Sequence, residues 1–323
     1  MKSFTKTAFA TQRYLDYSFT TIRDCDVPRR VDVAVCNTIE TGFLGGPRVL
    51  ACGMILSPTE VSEDDSLSDM NAWGDDADEV RKELAEQADF VKVMASDSAL
   101  HKHGVPVQPI ITREELQSIV DAAEMKESYV AAHAHGDGAI RLCVDTGVRM
   151  IEHESFLSEE TVNALLGRDN CWLIPTVSAM YQNPNTTPET FQHFVKKLED
   201  MLKTSAVCLH RAYEMGAKMG FGTDSGPGMD QYEQSIEFRF RKENCGMSNI
   251  DILLQATKNN AEALGIADIA GEIRKGLSAD MILVNGKPDE DMSLMYRKSA
   301  MIFLKDYRCR KISSFAIPHL LCK

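Results

Sequence analysis

The strongest constraint in this sequence is a repeated alternation of short apolar segments and longer amphipathic segments. Seven segments have the β-branched and aromatic content of strands, and helical sequence follows each one. Such alternation indicates parallel strands joined by right-handed helical crossovers, arranged either as a closed (β/α)8 barrel or as an open, doubly wound sheet. The predicted strands are Ser18 to Asp24, Arg48 to Leu56, Asp89 to Ala95, Ser128 to His135, Arg149 to Phe156, Cys171 to Ala179 and Lys218 to Gly226.

The absence of nucleotide-binding motifs favours the barrel. No Gly-x-Gly-x-x-Gly sequence follows the first strand and no Walker A sequence occurs, so an open sheet that binds a nucleotide has little support. Beyond the barrel, the segment from Gly271 to Gly286 changes to short β segments between glycines, which predicts a small β appendage. The tail from Tyr307 to Lys323 has no clear period, so the sequence predicts no structure for it.

Composition excludes several classes of function. With 35 basic and 48 acidic residues the chain has a net charge of −13, so nucleic acids and anionic membranes would repel it. The nine cysteines include no Cys-x-x-Cys pair, which argues against a disulfide framework and a cysteine zinc site. No apolar run approaches the roughly 18 residues of a membrane helix, and Met1 to Arg13 lacks the core of a signal peptide. We therefore expect a cytoplasmic protein without nucleic-acid or membrane partners.

Five side chains that could carry chemistry lie at the ends of predicted strands: Lys92, His133, His135, His153 and Asp224. In a parallel barrel the C-terminal ends of all strands meet on one face, where distant residues can share one metal ion. Each residue alone also has an ordinary explanation, because a single histidine is more often a satisfied polar side chain and an aspartate can cap a helix or a turn. A lysine inside an apolar strand is harder to explain in this way, since an unpaired ammonium is costly to bury. Together the five favour a metal site.

Short motifs around these residues carry a family resemblance. They are Phe19 to Asp24, Gly46 to Leu50, Phe90 to Ser96, Val130 to Gly136, Met150 to His153, Gly222 to Gly226 and Gly276 to Val284. In this order and spacing, from Thr20 to about Asp291, the chain resembles the metal-dependent amidohydrolase superfamily, in the branch of imidazolonepropionase-like and Xaa-Pro dipeptidase-like enzymes. The resemblance implies a TIM-like (β/α)8 barrel with a small β-sandwich.

The resemblance also implies roles for the residues at the strand ends. Lys92 would be carboxylated and bridge two divalent metal ions, most often zinc. His133 and His153 would bind the second ion, and Asp224 would bind the first ion and act as general base. A desolvated lysine can lose its proton and react with CO2 to give an anionic ligand. Two ions roughly 3.5 to 4 Å apart generate hydroxide and polarise an amide carbonyl.

The sequence departs from the family pattern at its beginning. The family's first barrel strand supplies two metal ligands in a His-x-His motif, but no histidine precedes His101. The segment from His101 to His103 has this form but lies in the loop after the Lys92 strand, so we interpret it as a coincidence. Loss of two ligands is expected to weaken metal binding. The predicted domains are an incomplete barrel lacking its first strand (1–266), a remnant of the small β-sandwich (267–305) and a tail (306–323).

The preferred hypothesis is a metal-dependent hydrolase of carbon–nitrogen bonds in small amides, cyclic amides or dipeptide-like molecules. It would act through metal-activated hydroxide with Asp224 as general base, and His135 and Tyr181 would contact the substrate. The alternative is a catalytically inactive amidohydrolase-like protein that binds or regulates. The departure at the first strand and the acidic loop from Ser57 to Asp76 favour this alternative. A homo-oligomer is compatible with both hypotheses.

Overall fold

The computed structural model describes residues 2–25, 28–57, 71–72, 76–99, 108–181, 192–225, 235–296, 301–305 and 308–311. Strands and helices alternate through these residues as the sequence predicts. None of the helices described is long and apolar enough to cross a lipid bilayer.

Parallel pairing organises the central strands. Strands β1 and β2 form one parallel pair, and a second, all-parallel sheet has the order β4-β3-β5-β6-β7-β8. The backbone amide of Asp89 donates to the carbonyl of Ala51 over 2.8 Å, so β2 lies beside the start of β5 and links the two sheets. The strands are β1 (Thr21–Asp24), β2 (Arg48–Ala51), β3 (Ile55–Leu56), β4 (Asn71–Ala72), β5 (Val91–Met94), β6 (Val130–Ala134), β7 (Met150–His153) and β8 (Trp172–Ile174).

Side-chain caps fix the beginnings of several helices. Thr112 and Glu115 form a reciprocal capping box at the start of α4, and the Ser158 hydroxyl accepts from the backbone amide of Thr161 at the start of α6. The helices are α1 (Lys2–Asp16), α2 (Val31–Glu40), α3 (Asp76–Ala85), α4 (Arg113–Glu124), α5 (Asp137–Thr146), α6 (Glu159–Leu166), α7 (Gln192–Glu214), α8 (Ile236–Glu243), α9 (Asn249–Leu254) and α10 (Asn260–Leu264), with 3-10 turns at Pro28–Arg30, Val177–Met180 and Met292–Tyr296 and a π turn at Gln255–Asn259.

The last predicted barrel strand, Lys218 to Gly226, is shorter than expected. Within the described residues it makes one parallel bridge, between Met219 and Leu173 of β8, and then continues as irregular backbone. Its close approach to its neighbours depends on Gly220, where a Cβ atom would lie 2.4 Å from Asn260 Oδ1 and 2.7 Å from Ile174 Cδ1. Because Gly220 has no side chain, the segment can lie close to β8 without regular strand geometry.

The two faces of the parallel sheet pack against different surroundings. Outward residues such as Ala132, Ile151 and Leu173 join the large core that also contains helix side chains. The alternate residues Ala131 and Met150 belong to a second, smaller cluster made mainly of strand residues. Alternation along each strand therefore directs one set of side chains to the helices and the other to the interior between strands.

A buried ion pair between Arg241 and Glu237 on α8 holds the last strand against β8. Both side chains are fully buried, and Nε of Arg241 donates to Oε1 of Glu237 over 2.8 Å. Arg241 also donates to the carbonyls of Gly220 and Pro175, each over 2.6 Å, while Glu237 accepts from the backbone amide of Ser178 over 2.7 Å. The two charged side chains bond backbone groups of the last strand and of the segment that follows β8. Removing either side chain would therefore leave several buried polar atoms unpaired.

The C-terminal strands form a separate antiparallel sheet with the order β11-β10-β9. An ion pair of 3.0 Å between Arg48 and Asp280 connects the residue before this sheet to the start of β2. The predicted β segments beyond the barrel are confirmed for β9, while the sandwich remnant, the domain boundaries and the incompleteness of the barrel stay predictions. The strands are β9 (Met281–Val284), β10 (Met301–Lys305) and β11 (Arg308–Lys311), the last lying within the predicted tail.

We expect Arg241→Met to lower the free energy of unfolding by about 3–5 kcal/mol, because Glu237 would lose its buried counter-ion. Arg239→Met on the same helix is the matched control, since the Arg239–Glu243 pair is exposed to solvent and should contribute below about 1 kcal/mol. Urea denaturation of both variants checks the difference. Equal losses in the two variants would contradict a stabilising role for the buried pair.

A second expectation concerns Asp32 on α2, which is 1% exposed and accepts one hydrogen bond from the Gly53 amide over 2.9 Å. Burial, reinforced by the charge of Asp24, raises the pKa of Asp32 to about 7. Because the folded-state pKa lies above the unfolded value, stability is lost as the pH rises from about 4 to 7. Asp32→Asn should remove this pH dependence, which lowers the free energy of unfolding of the wild type by on the order of 4 kcal/mol between low pH and pH 8. Parallel pH–stability curves for the two proteins would contradict the assignment.

Candidate metal centre

Three histidines meet where β6 and β7 end. His133 lies within β6, His135 follows its last residue, and His153 ends β7. The ring centroids are 4.6 Å apart for His133 and His135, 4.5 Å for His133 and His153, and 5.0 Å for His135 and His153. The parallel register that pairs Ala134 with His153 explains the meeting, because it aligns the C-terminal ends of the two strands.

Each imidazole has one ring nitrogen in a hydrogen bond with the protein. His133 Nε2 lies 3.1 Å from the carbonyl oxygen of Asp97, His135 Nδ1 lies 2.7 Å from Ser155 Oγ, and His153 Nδ1 lies 2.8 Å from Thr176 Oγ1. A carbonyl oxygen only accepts, so Nε2 of neutral His133 carries the hydrogen and Nδ1 is free to bind a metal. Hydrogen bonds of this kind orient histidine ligands in metal sites.

Burial keeps these imidazoles neutral. It lowers the pKa of His133 and His153 well below the ordinary value, and the neighbouring rings and Lys92 lower both further. Burial also lowers the pKa of His135 to about 3, assisted by Lys197 and Lys92. Neutral imidazole is the form that binds a metal ion, so the cluster is prepared for a cation rather than for protons.

Lys92 lies in the middle of β5, and only 4% of its surface is exposed. Its strand neighbour in the register is Ala131, and Met94 two residues later pairs with His133. Among the described residues, Lys92 has no hydrogen-bond or ion-pair partner, although its charge influences all three histidines. The predicted position of Lys92 next to the histidines is therefore found in the structure.

Asp224 approaches the cluster from the last strand. Its Oδ2 lies 4.0 Å from Nδ1 of His153, and 53% of the side chain is exposed. Desolvation by the surrounding protein raises the pKa of Asp224 to about 6, opposed by the charge of Lys92. The backbone of Asp224 has φ 52°, a left-handed conformation that is uncommon outside glycine. Asp224 thus combines access to solvent with proximity to the histidines.

The remaining predicted substrate contact is Tyr181. Tyr181 follows the 3-10 turn after β8 and packs against Phe240 of α8 with ring centroids 5.3 Å apart. Its role as a substrate contact stays a prediction. The segment from His101 to His103 and most of the acidic loop from Ser57 to Asp76 lie outside the described residues.

The structure also reveals residues that the sequence analysis missed. Thr176 is a polar residue just after the buried strand β8. A polar side chain at the C-terminal end of a strand could have indicated a contact with the predicted site, here with His153. Arg23 and Glu152 form an ion pair of 2.6 Å, and Glu152 pairs with His133 in the strand register. No sequence pattern links Arg23 to Glu152, because the pair depends on how opposite strands face each other.

The donor set fits a divalent ion through two histidines and needs Lys92 for a third ligand. Among the residues described, no three His, Cys, Asp or Glu side chains are spaced to hold a metal by themselves. His133 and His153 each have a free nitrogen and an oriented ring. Carboxylated Lys92 would give three ligands, the number typical of a catalytic zinc site.

The sequence profile described as the amidohydrolase family matches residues 10–311. The chain belongs to the amidohydrolase family. Members of its superfamily generally use divalent metal ions. Membership confirms the resemblance inferred from the motifs. The predicted α/β fold with parallel strands is also confirmed, since the solved structures similar to this chain are amidohydrolase TIM barrels.

Three proteins with a stated activity are similar to this amidohydrolase-family chain. Ochratoxinase from Aspergillus niger is 27% identical in an alignment of 303 positions, and the match covers 83% of this chain and 60% of ochratoxinase. The chain therefore spans 60% of the length of the curated relatives it matches. A Xaa-Pro dipeptidase with bound methionine is 27% identical with a TM-score of 0.81, covering 95% of this chain and 78% of the dipeptidase. A prolidase complexed with N-methylphosphonate-L-proline is 26% identical with a TM-score of 0.80, covering 93% and 78%.

We expect Thr176→Val to weaken zinc binding by about 10- to 100-fold, because the hydroxyl that orients His153 is lost while the side-chain shape is kept. Thr146→Val is the matched control: Thr146 is equally buried, and its hydroxyl bonds only within the end of α5. Competition for Zn²⁺ against a chromophoric chelator measures both affinities. Unchanged zinc affinity in Thr176→Val would exclude His153 as a ligand oriented by Thr176.

Proposed function

We propose that this chain acts as a metal-dependent hydrolase of carbon–nitrogen bonds in small amides, cyclic amides or dipeptide-like molecules. The observation that carries the proposal is the convergence of Lys92 on β5, His133 and His153 near the ends of β6 and β7, and Asp224 beyond the last strand, with neutral imidazoles and an accessible carboxylate. The similarity to ochratoxinase and to Xaa-Pro dipeptidases supports hydrolysis of an amide bond.

His133, His153 and Lys92 in its carboxylated form would hold one divalent ion, and the carboxylated Lys92 would also bridge to a second ion at Asp224. Zinc is the metal we propose, because imidazole nitrogen and carboxylate oxygen are common zinc ligands. A bound divalent ion supplies Lewis acidity and makes water a stronger nucleophile near neutral pH. The protein's contribution is to keep the imidazoles deprotonated and the lysine desolvated before any ion arrives.

Asp224 would move the proton in this reaction. Its carboxylate accepts a proton from the attacking water while the water oxygen bonds to the amide carbon. The same proton then passes from Asp224 to the amide nitrogen as the carbon–nitrogen bond breaks, which gives a carboxylic acid and an amine. The exposed half of the Asp224 side chain makes this transfer accessible to a substrate in solution.

His135 would contact the substrate carbonyl. When its Nδ1 accepts a hydrogen bond from Ser155 Oγ, the neutral ring carries its hydrogen on Nε2, which then becomes a donor for the substrate. Tyr181 would contribute a second contact through its hydroxyl. We also propose that the reaction takes place in the cytoplasm on a small amide-type molecule and that the chain can form a homo-oligomer.

We expect Asp224→Asn to lower kcat by at least about 100-fold while zinc stays bound, because the amide cannot accept the proton. The control is Asp200→Asn, since Asp200 on α7 has a similarly exposed side chain and pairs only with Lys196. The measurement combines hydrolysis of a panel of N-acyl amino acids and Xaa-Pro dipeptides by the zinc-loaded chain with elemental analysis of bound zinc.

Two outcomes would contradict the proposal. Full activity in Asp224→Asn would place the general base elsewhere. A wild-type chain that binds members of the panel without hydrolysing any of them would instead support the binding or regulatory alternative.

A further inference from the structure

The backbone around Asp224 is held differently from the strand that precedes it. Up to Phe221 the strand is fixed by side chains that lie later in the sequence: Arg241 donates to the Gly220 carbonyl over 2.6 Å, and Asn260 bonds both the amide and the carbonyl of Phe221 over 2.8 and 2.9 Å. The three residues after Gly222, which are residues 223–225, include the candidate base. Their position decides how close Asp224 comes to His153.

The conformation of Asp224 needs external support. A non-glycine residue with φ near 52° occupies a sparsely populated region and persists only where its surroundings determine it. Ser178 Oγ approaches the Thr223 carbonyl at 3.4 Å, and the Ser225 amide approaches Thr223 Oγ1 at the same distance. These are long contacts, so they hold the segment weakly.

A further contact comes from the first helix. The hydroxyl of Tyr14 on α1 donates to the carbonyl of Ser225, across 211 positions of sequence. Tyr14 therefore bonds to the residue that follows Asp224, and a phenol hydroxyl can supply such a donor.

Aromatic packing brings Tyr14 to this place. Its ring meets Phe19 edge to face with centroids 6.0 Å apart, and Phe19 lies 6.3 Å from Phe221 on the last strand. The row Tyr14, Phe19 and Phe221 connects α1 to the last strand without any hydroxyl. Packing and hydrogen bonding are thus separable at Tyr14: the ring anchors α1, and the hydroxyl holds the segment around Asp224.

We propose that Tyr14 is a positioning residue for the candidate general base, whose hydroxyl fixes residues 223–225 so that Asp224 faces His153. The role in catalysis rests on the proposed function, whereas the structural part does not. Tyr14 acts through the backbone that follows Asp224, and the reacting atoms are left to the residues at the strand ends.

The test replaces the hydroxyl and keeps the ring. Tyr14→Phe is compared with Tyr213→Phe, which removes another partly buried tyrosine hydrogen bond, from Tyr213 on α7 to Asp251 Oδ2 at 2.6 Å. Hydrogen exchange read by mass spectrometry on the peptide covering residues 219–225 should be about fivefold to tenfold faster in Tyr14→Phe and unchanged in Tyr213→Phe. This readout needs neither metal nor substrate.

Kinetics on the panel of amides and dipeptides then separates positioning from general destabilisation. Tyr14→Phe should lower kcat by about tenfold to 100-fold with KM within about twofold, since misplacement of a catalytic group affects the transition state most.

The outcomes are distinguishable. Unchanged exchange at residues 219–225 in Tyr14→Phe overturns the inference. Equal loss of melting temperature in both tyrosine variants with full kcat below that temperature reduces Tyr14 to a structural residue and also overturns it. A wild-type chain without any hydrolysis defeats the proposed function, and hydrogen exchange alone then decides the position of residues 223–225.

Discussion

Parallel pairing of β5, β6, β7 and β8 is the constraint on which the rest of the structure depends. In a parallel sheet every strand ends on the same edge, so side chains separated by dozens of residues converge without any local signal. Lys92, His133 and His153 meet for this reason, and the register fixes their neighbours as well. The helices that cover the outer face leave the inner ends open to polar chemistry.

The sequence predicted the alternation of strands and helices and the residues at the strand ends, because both follow from short-range pattern and parallel topology. It did not predict the partners that orient the imidazoles. The Asp97 carbonyl and the Thr176 hydroxyl reach the rings through the paths of loops after β5 and β8, and loop paths have no periodicity. The role of Tyr14 could not be predicted for a different reason, since its partner Ser225 is 211 positions away in the sequence.

Electrostatics explains why the cluster can remain uncharged. Lys92 and three imidazoles share a buried volume, so protonation of any one of them is opposed by burial and by the charge of Lys92. Directly beneath, Arg23 and Glu152 pair at 2.6 Å and keep opposite charges together. A site arranged in this way disfavours protons, which are the competitors of a metal ion for imidazole nitrogen.

Backbone strain is also present at this place. His153, Glu154 and Asp224 have φ values of 80°, 40° and 52°, and all three lie at strand ends that face the cluster. Fully buried Glu154 adds a further cost: Oε1 accepts from the Ile174 amide, but Oε2 has no hydrogen-bond partner among the described residues. Left-handed residues and an unsatisfied carboxyl oxygen each destabilise a fold. Five other described non-glycine residues with positive φ lie elsewhere, so strain alone does not mark the site. At the three positions beside the histidines, geometry can be retained for chemistry at the expense of stability.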